Sequence, residues 1–246
     1  MVPMNPPKPS DPQTPKTILV VDVGGSNIKL MRSGSTDRVK FPSGPRFTPR
    51  QLMAGICKHA PDWEYDAVSL GLPVPVVRDK PVREPNNLGR GWVRFDYQAA
   101  FGKPIKLIND AAMQALGSYD GGRMLFLGLG TGLGAAMILD HVLISLELNE
   151  LSYSPRNNLE DMLGRDGRKR LGQRRWEEAL ERIVFVLSLA FVTDYTVIGG
   201  GNARKVEHLP PGARLGDNRN AFIGGLRLWG LWPGRPDKNQ RTLLIR

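Results

Sequence analysis

Three glycine-rich turns, each behind an apolar segment, are the first feature of this sequence that could do chemistry. They contain Gly24 and Gly25, residues 128–134, and Gly199, Gly200 and Gly201. Because glycine has no Cβ, backbone N–H groups in such turns can converge on a phosphate group. Any one of these turns is also explained by the need for positive φ in a tight turn. Three turns at equivalent places favour phosphate binding, although none fits the dinucleotide fingerprint or the ending of a P-loop.

Two aspartates end apolar segments, and each has two interpretations. Asp110 follows KPIKLIN, where a carboxylate could act as a general base toward a hydroxyl group or could cap the helix behind it. Asp22 ends TILVVD directly before the first glycines, where it could hold Mg²⁺ near a phosphate or stabilise the turn. Ser26 and Thr131 lie inside the first two turns, and their hydroxyl groups could donate to phosphate oxygens or to the turn backbone.

The segments that position these residues predict an order of strands and helices that occurs twice. TILVVDVGG, NIKLMR and RVKF predict strands, PRQLMAGICKHA a helix, AVSLGLPVPV and KPIKLIND strands, and AAMQALGSY a helix. A second series begins at RMLFLGLGTGLGAAMIL, with helical patterns at LEDMLGRDGRKRLG and RWEEALERIVFVLSLAF, a strand at YTVIGGG and a helix at NAFIGGLRLWG. The repeated order predicts an α/β protein with two lobes.

The same patterns predict where the lobes begin and end. Residues 16–118 form the expected N-terminal lobe and residues 119–232 the expected C-terminal lobe. Residues 1–15 contain six prolines and almost nothing that could enter a core, so a disordered tail is expected there. Residues 233–246 are expected to be a peripheral C-terminal tail.

The charge balance favours a polyanionic partner. The 246 residues include 34 Lys and Arg against 24 Asp and Glu, which gives a formal net charge of +10. Nucleic acid, polyphosphate and anionic substrates would all suit this balance. The densest basic cluster alternates with apolar positions, as the solvated face of a helix would; its members are Arg165, Arg168, Lys169, Arg170, Arg174 and Arg175.

Several classes of protein are excluded or disfavoured by composition. A single cysteine, Cys57, cannot form an internal disulfide, and three widely separated histidines disfavour a structural zinc site. The apolar stretch 183–192 is about half of the roughly 20 residues that cross a bilayer. Without a signal-peptide pattern, the sequence predicts a cytoplasmic protein with no membrane partner.

Four motifs in this order resemble those of the actin-like sugar kinases, specifically the ROK group: VVDVGGSNIKL, INDAAMQALGSYDG, LFLGLGTGLGAAMI and VIGGGNA. NNLGRGWVRFD and KVEHLPPGARLGDNRNAFIGGLRLW are most similar to the polyphosphate glucokinase branch of that group. The resemblance covers roughly residues 17–229. It implies a two-lobed, actin-like fold related to ribonuclease H, with the active site in the cleft between the lobes.

The resemblance also implies roles for the residues that match the family motifs. Asp110 is the expected catalytic base, and Asn87 and Asn109 are expected to contact the sugar. Asp22 is the expected metal residue, close to Mg²⁺. The remaining residues expected to contact phosphate or nucleoside are Gly24, Gly25, Ser26, Gly130, Thr131, Gly132, Gly199, Gly200, Gly201 and Asn202.

The segment LELNELSY departs from the family pattern of a glutamate, two residues and a histidine, both of which touch the sugar. Glu147 is kept, but Glu150 stands where the histidine belongs. Histidine can donate a hydrogen bond to a sugar oxygen, whereas an ionised glutamate only accepts. A carboxylate here could favour a sugar that bears an amine, could accept from a hydroxyl group, or could mark the loss of catalysis.

These observations predict a sugar kinase that transfers a phosphoryl group from polyphosphate, ATP or both to a hexose, with the 6-hydroxyl of glucose as the expected acceptor and Mg²⁺ as cofactor. The alternative is a catalytically impaired regulator that binds a sugar or nucleotide, which Glu150 favours and Asp110 opposes. A ROK-type repressor would need an N-terminal helix-turn-helix, and residues 1–15 are too short for one. A homodimer is expected from the resemblance, and nucleic acid is not an expected partner.

Overall fold

The first half of the chain forms a five-stranded mixed sheet around its most apolar segment. We describe residues 15–217, 219–231 and 244–245 from a computed structural model. The elements of this half are β1 (Ile18–Val23), β2 (Asn27–Arg32), β3 (Arg38–Pro42), α1 (Pro49–His59), β4 (Ala67–Leu72), β5 (Val76–Val77), β6 (Lys80–Pro81), α2 (Tyr97–Phe101), β7 (Ile105–Asn109) and α3 (Asp110–Ser118). The sheet has the order β3-β2-β1-β4-β7. All residues of β1 are buried because both faces of the sheet are covered.

The second half forms a six-stranded sheet with the same central topology. Its elements are β8 (Arg123–Leu129), β9 (Leu133–Leu139), β10 (Val142–Leu146), β11 (Ser152–Ser154), β12 (Asn157–Asn158), α4 (Leu159–Leu163), α5 (Arg165–Leu171), α6 (Gln173–Phe191), β13 (Tyr195–Gly199), a 3₁₀ turn (Ala203–Lys205), β14 (Ala213–Leu215), α7 (Asn220–Arg227) and β15 (Leu244–Ile245). The sheet order is β14-β13-β8-β9-β10-β15. In each sheet an antiparallel three-stranded meander is followed by parallel strands beside its first member.

Alternating side chains divide the core into three layers. Ile18 and Val20 of β1 face a central cluster that contains α3 and α7, while Leu19 and Val21 face an outer cluster with α1. The second sheet is built in the same way, with Phe126 facing the central cluster and neighbouring leucines of β8 facing α4 and α6. The helices α3 and α7 are therefore sandwiched between the two sheets.

The two central helices cross at glycines. A Cβ at Gly117 of α3 would collide with the carbonyl oxygen of Asn220, and a Cβ at Gly224 of α7 would collide with that of Met113. The main chains of α3 and α7 are in direct contact at this crossing because neither glycine has a side chain. On its other side α7 packs on the first sheet, where Gly225 lies against Val20.

Local signals explain where the helices begin and end. Thr48 caps α1 in a capping box with Gln51, and Pro49 occupies the first helical position. Gly164 is extended and ends α4, so the helical pattern predicted across residues 159–172 is two helices rather than one. Gly172, with φ +75°, separates α5 from α6.

Most of the predicted elements are confirmed, including the repeated strand, glycine turn and strand. The sequence patterns missed β10 and β14, which complete the second sheet, and the short strands β5, β6, β11 and β12. Except for Pro15 and Leu244–Ile245, the residues of the two predicted tails lie outside the described ranges. Leu244–Ile245 forms β15, which pairs in parallel with β10. Within the described ranges, no helix combines the length and the apolar character needed to cross a membrane.

The helix crossing predicts a large effect of a small substitution. Gly117→Ala places a methyl group against the backbone of α7, so we expect a loss of about 3 kcal/mol in the free energy of unfolding, as for other overpacked cores. Urea denaturation measures this loss. Gly201→Ala, at a glycine with open space around its Cα, is the control and should change stability by less than about 1 kcal/mol. Equal stabilities for the two variants would contradict the role of the crossing.

Candidate active site

An ion pair between neighbouring strands holds the carboxylate at the end of β1. Asp22 is 3% exposed, and its Oδ2 accepts a hydrogen bond from Nζ of Lys29, the residue opposite it on β2, at 2.8 Å. A buried carboxylate needs such a partner because an unpaired buried charge is costly. Asp22 thus bonds a lysine rather than the backbone of its own turn.

The first glycine turn is closed by its own backbone and supported by the third strand. Gly24 N donates to the carbonyl oxygen of Asn27 at 3.0 Å, and Ser43 Oγ donates to the carbonyl oxygen of Gly24 at 2.6 Å. A Cβ on Gly25 would lie 3.1 Å from Cβ of Asn87. The turn therefore touches the loop that carries a predicted sugar contact, while Ser26 is exposed at its tip.

The loop around Asn87 is organised by one carboxylate. Glu84 accepts hydrogen bonds from three consecutive backbone N–H groups, those of residues 91–93, at 3.0, 2.9 and 3.3 Å. Trp92 is fully buried and anchors the loop in the outer cluster of the first sheet. These contacts hold the loop in which the exposed Asn87 lies beside Gly25.

Asn109, not Asp110, caps the N-terminus of α3. Its Oδ1 accepts from Ala112 N at 3.0 Å, and its Nδ2 donates to the carbonyl oxygen of Val74 at 3.2 Å. The alternative in which Asp110 is the cap is therefore wrong. Asp110 occupies the first helical position, where Oδ1 accepts from Ala111 N at 2.8 Å and Oδ2 is left for other partners. The predicted contact of Asn109 with a sugar stays a prediction.

Burial and neighbouring charge raise the pKa of Asp110 to about 7. Burial is the larger cause, and the negative charge of Asp22 adds to it. The N–H group of Ala111 and the ammonium of Lys29 act in the opposite direction, while Glu147 contributes a small further increase. A carboxyl group that titrates near neutral pH is suited to accept a proton from a hydroxyl group.

The second and third glycine turns form one wall of the second lobe. Gly130 N donates to the carbonyl oxygen of Gly132 at 3.0 Å, and Asn202 Nδ2 donates to the carbonyl oxygen of Gly130 at 2.9 Å. Gly200 adopts φ +83°, and a Cβ there would lie 2.5 Å from the carbonyl oxygen of Leu129. Close backbone packing thus requires glycine at this position. Gly199 is buried, whereas Thr131, at the tip of the second turn, is half-buried.

An arginine of the first half pairs with the glutamate predicted to touch the sugar. Arg83 Nη2 lies 2.6 Å from Oε2 of Glu147, and both side chains are partly exposed. Because Arg83 precedes α3 and Glu147 follows β10, this pair joins the two halves of the chain. Burial raises the pKa of Glu147; Arg83 opposes this increase, and Glu160 and Glu150 add to it.

Glu150 and Glu160 complete an acidic corner beside Glu147. The carboxylate oxygens of Glu150 each lie 3.4 Å from a side-chain amide, that of Asn149 or Asn158, which is long for a hydrogen bond. Glu160 begins α4 and reaches the second glycine turn, where a Cβ on Gly132 would lie 2.7 Å from its Oε2. The corner offers acceptors toward a ligand.

The residues fit an Mg²⁺ ion that arrives with a phosphate. Among the described residues, no group of three or more His, Cys, Asp or Glu side chains is arranged to hold a metal. Mg²⁺ commonly keeps several waters and uses one or two carboxylates together with substrate phosphates. Asp22, with one oxygen bound to Lys29, keeps Oδ1 for such an ion or its water shell.

Sequence reasoning missed three charged residues of this site: Lys29, Arg83 and Glu160. Lys29 could have been found, since the hairpin register places it opposite Asp22. Arg83 contacts Glu147, 64 positions away in the chain, and Glu160 contacts Leu133, 27 positions away. No local sequence pattern indicates such pairings.

The chain is similar to known polyphosphate glucokinases, although no protein-family model matches it. The chain is 25% identical over 224 residues to a polyphosphate glucokinase of Mycobacterium tuberculosis, an alignment that covers 82% of this chain and 83% of the relative. A polyphosphate glucokinase of Mycobacterium leprae is equally similar and is covered over 68% of its length.

Solved structures show the same fold. An inorganic polyphosphate/ATP-glucomannokinase from Arthrobacter has a TM-score of 0.73 and 20% sequence identity, with 89% of this chain and 99% of that chain covered. A ROK family glucokinase from Streptomyces griseus, in complex with glucose and AMPPNP, has a TM-score of 0.65 and 15% identity, with 85% and 97% covered. The predicted resemblance and the predicted two-lobed, actin-like fold are both confirmed.

The raised pKa of Asp110 predicts that this residue costs stability. The pKa lies at about 7 in the folded chain against 3.8 ordinarily, so folding is penalised increasingly as pH rises between these values. Asp110→Asn cannot ionise and should be more stable than the parent at pH 8, by up to about 4 kcal/mol. Urea denaturation at pH 5 and pH 8 should show an advantage that grows with pH. Asp62→Asn, at an exposed position, is the control, and an advantage independent of pH would contradict the assignment.

Proposed function

We propose that this chain is a hexose kinase that transfers a phosphoryl group to the 6-hydroxyl of glucose, with Asp110 as catalytic base. The observation that carries the proposal is the position of Asp110: at the start of α3, relieved of capping by Asn109, partly buried beside Asp22 and Lys29, with a pKa near neutral. The similarity to polyphosphate glucokinases supports the proposal.

Asp110 acts on the acceptor hydroxyl. As the sugar oxygen forms its bond to the terminal phosphorus, the bond from that phosphorus to the leaving phosphate oxygen breaks, and the hydroxyl proton passes to the carboxylate of Asp110. The leaving group is the donor shortened by one phosphoryl group. Ala111 N holds Oδ1 of Asp110, so Oδ2 is the oxygen left to take the proton.

The glycine turns and Lys29 hold the donor. The first glycine turn faces one side of the transferred phosphate and the second faces the other. Because Gly24 N and Gly130 N bond within their own turns, the donors to the phosphate are the N–H of Gly25 with the Ser26 hydroxyl, and the N–H groups of Thr131 and Gly132. The ammonium of Lys29, 2.8 Å from Asp22 and 41% exposed, is placed to neutralise developing negative charge. Asp22 would hold Mg²⁺ or its water shell, and the ion would further neutralise phosphate oxygens.

The sugar lies between Asn87 of the first lobe and the acidic corner of the second. Asn87 can both donate to and accept from a hydroxyl group, whereas Glu147 and Glu150 accept. Because the Arg83 guanidinium already occupies one oxygen of Glu147, sugar binding uses the other oxygen or displaces the arginine. The amide of Asn109 has two N–H donors, so one can reach a sugar oxygen while the other stays bonded to the carbonyl oxygen of Val74.

The donor is polyphosphate, ATP or both, and the third turn is the proposed nucleoside contact. The third turn borders the second directly, so a nucleoside bound at Gly199, Gly200, Gly201 and Asn202 would continue from the phosphate cradle.

The proposal also includes a cytoplasmic location and a homodimer, as expected from the sequence.

Phosphoryl transfer by the purified chain tests this proposal. Glucose, mannose and glucosamine serve as acceptors, with ATP and long-chain polyphosphate as separate donors. Glucose 6-phosphate is read by a coupled dehydrogenase, and the phosphates of mannose and glucosamine are read by mass spectrometry. Asp110→Asn should lose a factor of about 10²–10⁴ in kcat because the general base is gone. Asp62→Asn should behave as the parent. Failure of every donor and acceptor, with glucose still raising the Tm, would replace the kinase by a sugar-binding regulator.

The pH profile is expected to report the same carboxyl group. Since Asp110 must be ionised to accept a proton, kcat/KM should fall about tenfold for each pH unit well below its pKa of about 7. The residual activity of Asp110→Asn should lack this acidic limb. A limb of the same position in both proteins would assign it to another group.

A further inference from the structure

The proposed function leaves the densest basic segment of the chain without a role. Arg165 and Lys169 lie on α5, one helical turn apart, and Arg204 and Lys205 lie on the 3₁₀ turn after the third glycine turn. We call these four residues the basic rim. Arg204 and Lys205 are exposed, and the side chains of Arg165 and Lys169 are 47% and 68% exposed.

The basic rim begins at the second phosphate turn. Arg165 N donates to the carbonyl oxygen of Thr131 at 3.4 Å, so α5 begins directly against the turn that contains Gly130 and Gly132. Gly164 permits this approach, since a Cβ there would lie 3.3 Å from the same carbonyl oxygen and 2.8 Å from that of Glu160. Lys169 stands one turn of helix farther from the cradle.

Two contacts connect α5 to the 3₁₀ turn. Arg168 packs over the buried Trp176 with its guanidinium carbon 6.0 Å from the ring centroid, and its Nη1 lies 3.4 Å from Oε1 of Gln173. Gln173 Nε2 in turn donates to the carbonyl oxygen of Lys205 at 2.5 Å. The 3₁₀ turn leads back to Asn202, which is bonded to Gly130. The second turn, α5 and the 3₁₀ turn therefore form one continuous surface.

The carboxylates near this surface leave the rim cations available. Asp166 lies 3.7 Å from Arg165 and 3.8 Å from Lys169, at mostly exposed positions where such pairs contribute little. Three other nearby acids have partners of their own: Asp161 accepts from Asn158 N in the capping box of α4, Glu177 binds His208 and the backbone of residues 207–208, and Asp217 binds Arg219. Glu160 lies at the second turn, 3.4 Å from Leu133 N, and Glu207 is exposed two residues after Lys205. Among the described residues, none of these five acids forms an ion pair with a rim cation.

We propose that the basic rim is a subsite for the part of a polyphosphate chain that extends beyond the phosphates held in the glycine turns. The inference rests on the proposed function and specifies its donor. A linear polyphosphate carries negative charge along its whole length, as nucleic acid backbones do, so neutralising several phosphates should give strong salt dependence. In tripolyphosphate and ATP the glycine turns hold the three phosphates, and the nucleoside of ATP at the third turn is uncharged, so neither donor needs the charges of the rim.

The test compares donors of different length. The rim variant, Lys169→Gln/Arg204→Gln/Lys205→Gln, removes three rim charges. The matched control, Arg50→Gln/Lys58→Gln/Lys103→Gln, removes three exposed charges from the first half of the chain. With glucose as acceptor, the rim variant should lose at least about tenfold in kcat/KM for long-chain polyphosphate, since charge-assisted contacts are lost. Its activity with ATP and with tripolyphosphate should change less than twofold. The control variant should match the parent with every donor.

Salt titration gives a second readout. The slope of log kcat/KM for long-chain polyphosphate against log salt should become shallower by about 2 in the rim variant, as expected for three lost phosphate contacts. The slope for tripolyphosphate should stay the same. A single-stranded RNA should compete poorly with polyphosphate in a fluorescence polarisation assay.

Several results would overturn the inference and leave the kinase intact. The first is a loss in kcat/KM for long-chain polyphosphate in the control variant as large as that in the rim variant, and the second is an equal loss in the rim variant when ATP is the donor. The third is a parent protein that uses ATP but not polyphosphate, and the fourth is RNA binding as tight as polyphosphate binding. Absence of turnover with every donor in the parent would instead refute the proposed function. Tm values of the two variants within about 2 °C of the parent exclude a folding defect as the cause.

Discussion

The backbone contact between α3 and α7 is the constraint on which the rest of the structure depends. Gly117 and Gly224 let the helices approach until only main-chain atoms separate them, and this closeness sets the spacing of the two sheets. The contact is reinforced on the first sheet, where Ser69 Oγ donates to the carbonyl oxygen of Gly225 at 2.6 Å. Because α3 begins at Asp110, the crossing also determines where that carboxylate lies relative to the glycine turns of both lobes.

Charge in the cleft is arranged for chemistry at the expense of stability. Asp22 and Asp110 are close enough for the first to raise the pKa of the second, and Lys29 compensates only part of their repulsion. An arrangement chosen for folding alone would replace one carboxylate by a neutral side chain, since buried like charges are unfavourable. Retaining both is physically reasonable if a phosphoryl donor with its cation joins them, because added positive charge relieves the repulsion.

The repeated architecture explains why the first two glycine turns meet. Each sheet ends its first strand in a glycine turn, and the sandwich of α3 and α7 brings those two strand ends to the same cleft. The third turn joins the second through Asn202, and α5 continues the wall outward with the basic rim. The acidic corner lies on the same wall, where Glu160 reaches Gly132. The second lobe therefore combines an acidic corner, which we propose faces the sugar, and a basic rim, which we propose faces the donor.

The sequence by itself determined the repeated strand order, the glycine turns and the position of Asp110, because strand periodicity, glycine and chain order are local properties. It left open whether Asp110 capped α3, since both Asn and Asp are good caps and only the structure shows Asn109 in that role. Tertiary structure alone decided that α7 packs on the first sheet, that Arg83 pairs with Glu147, and that Glu160 reaches the second turn. These contacts join residues far apart in the chain, so no pattern within a short window could specify them; they depend on how the two lobes are packed together.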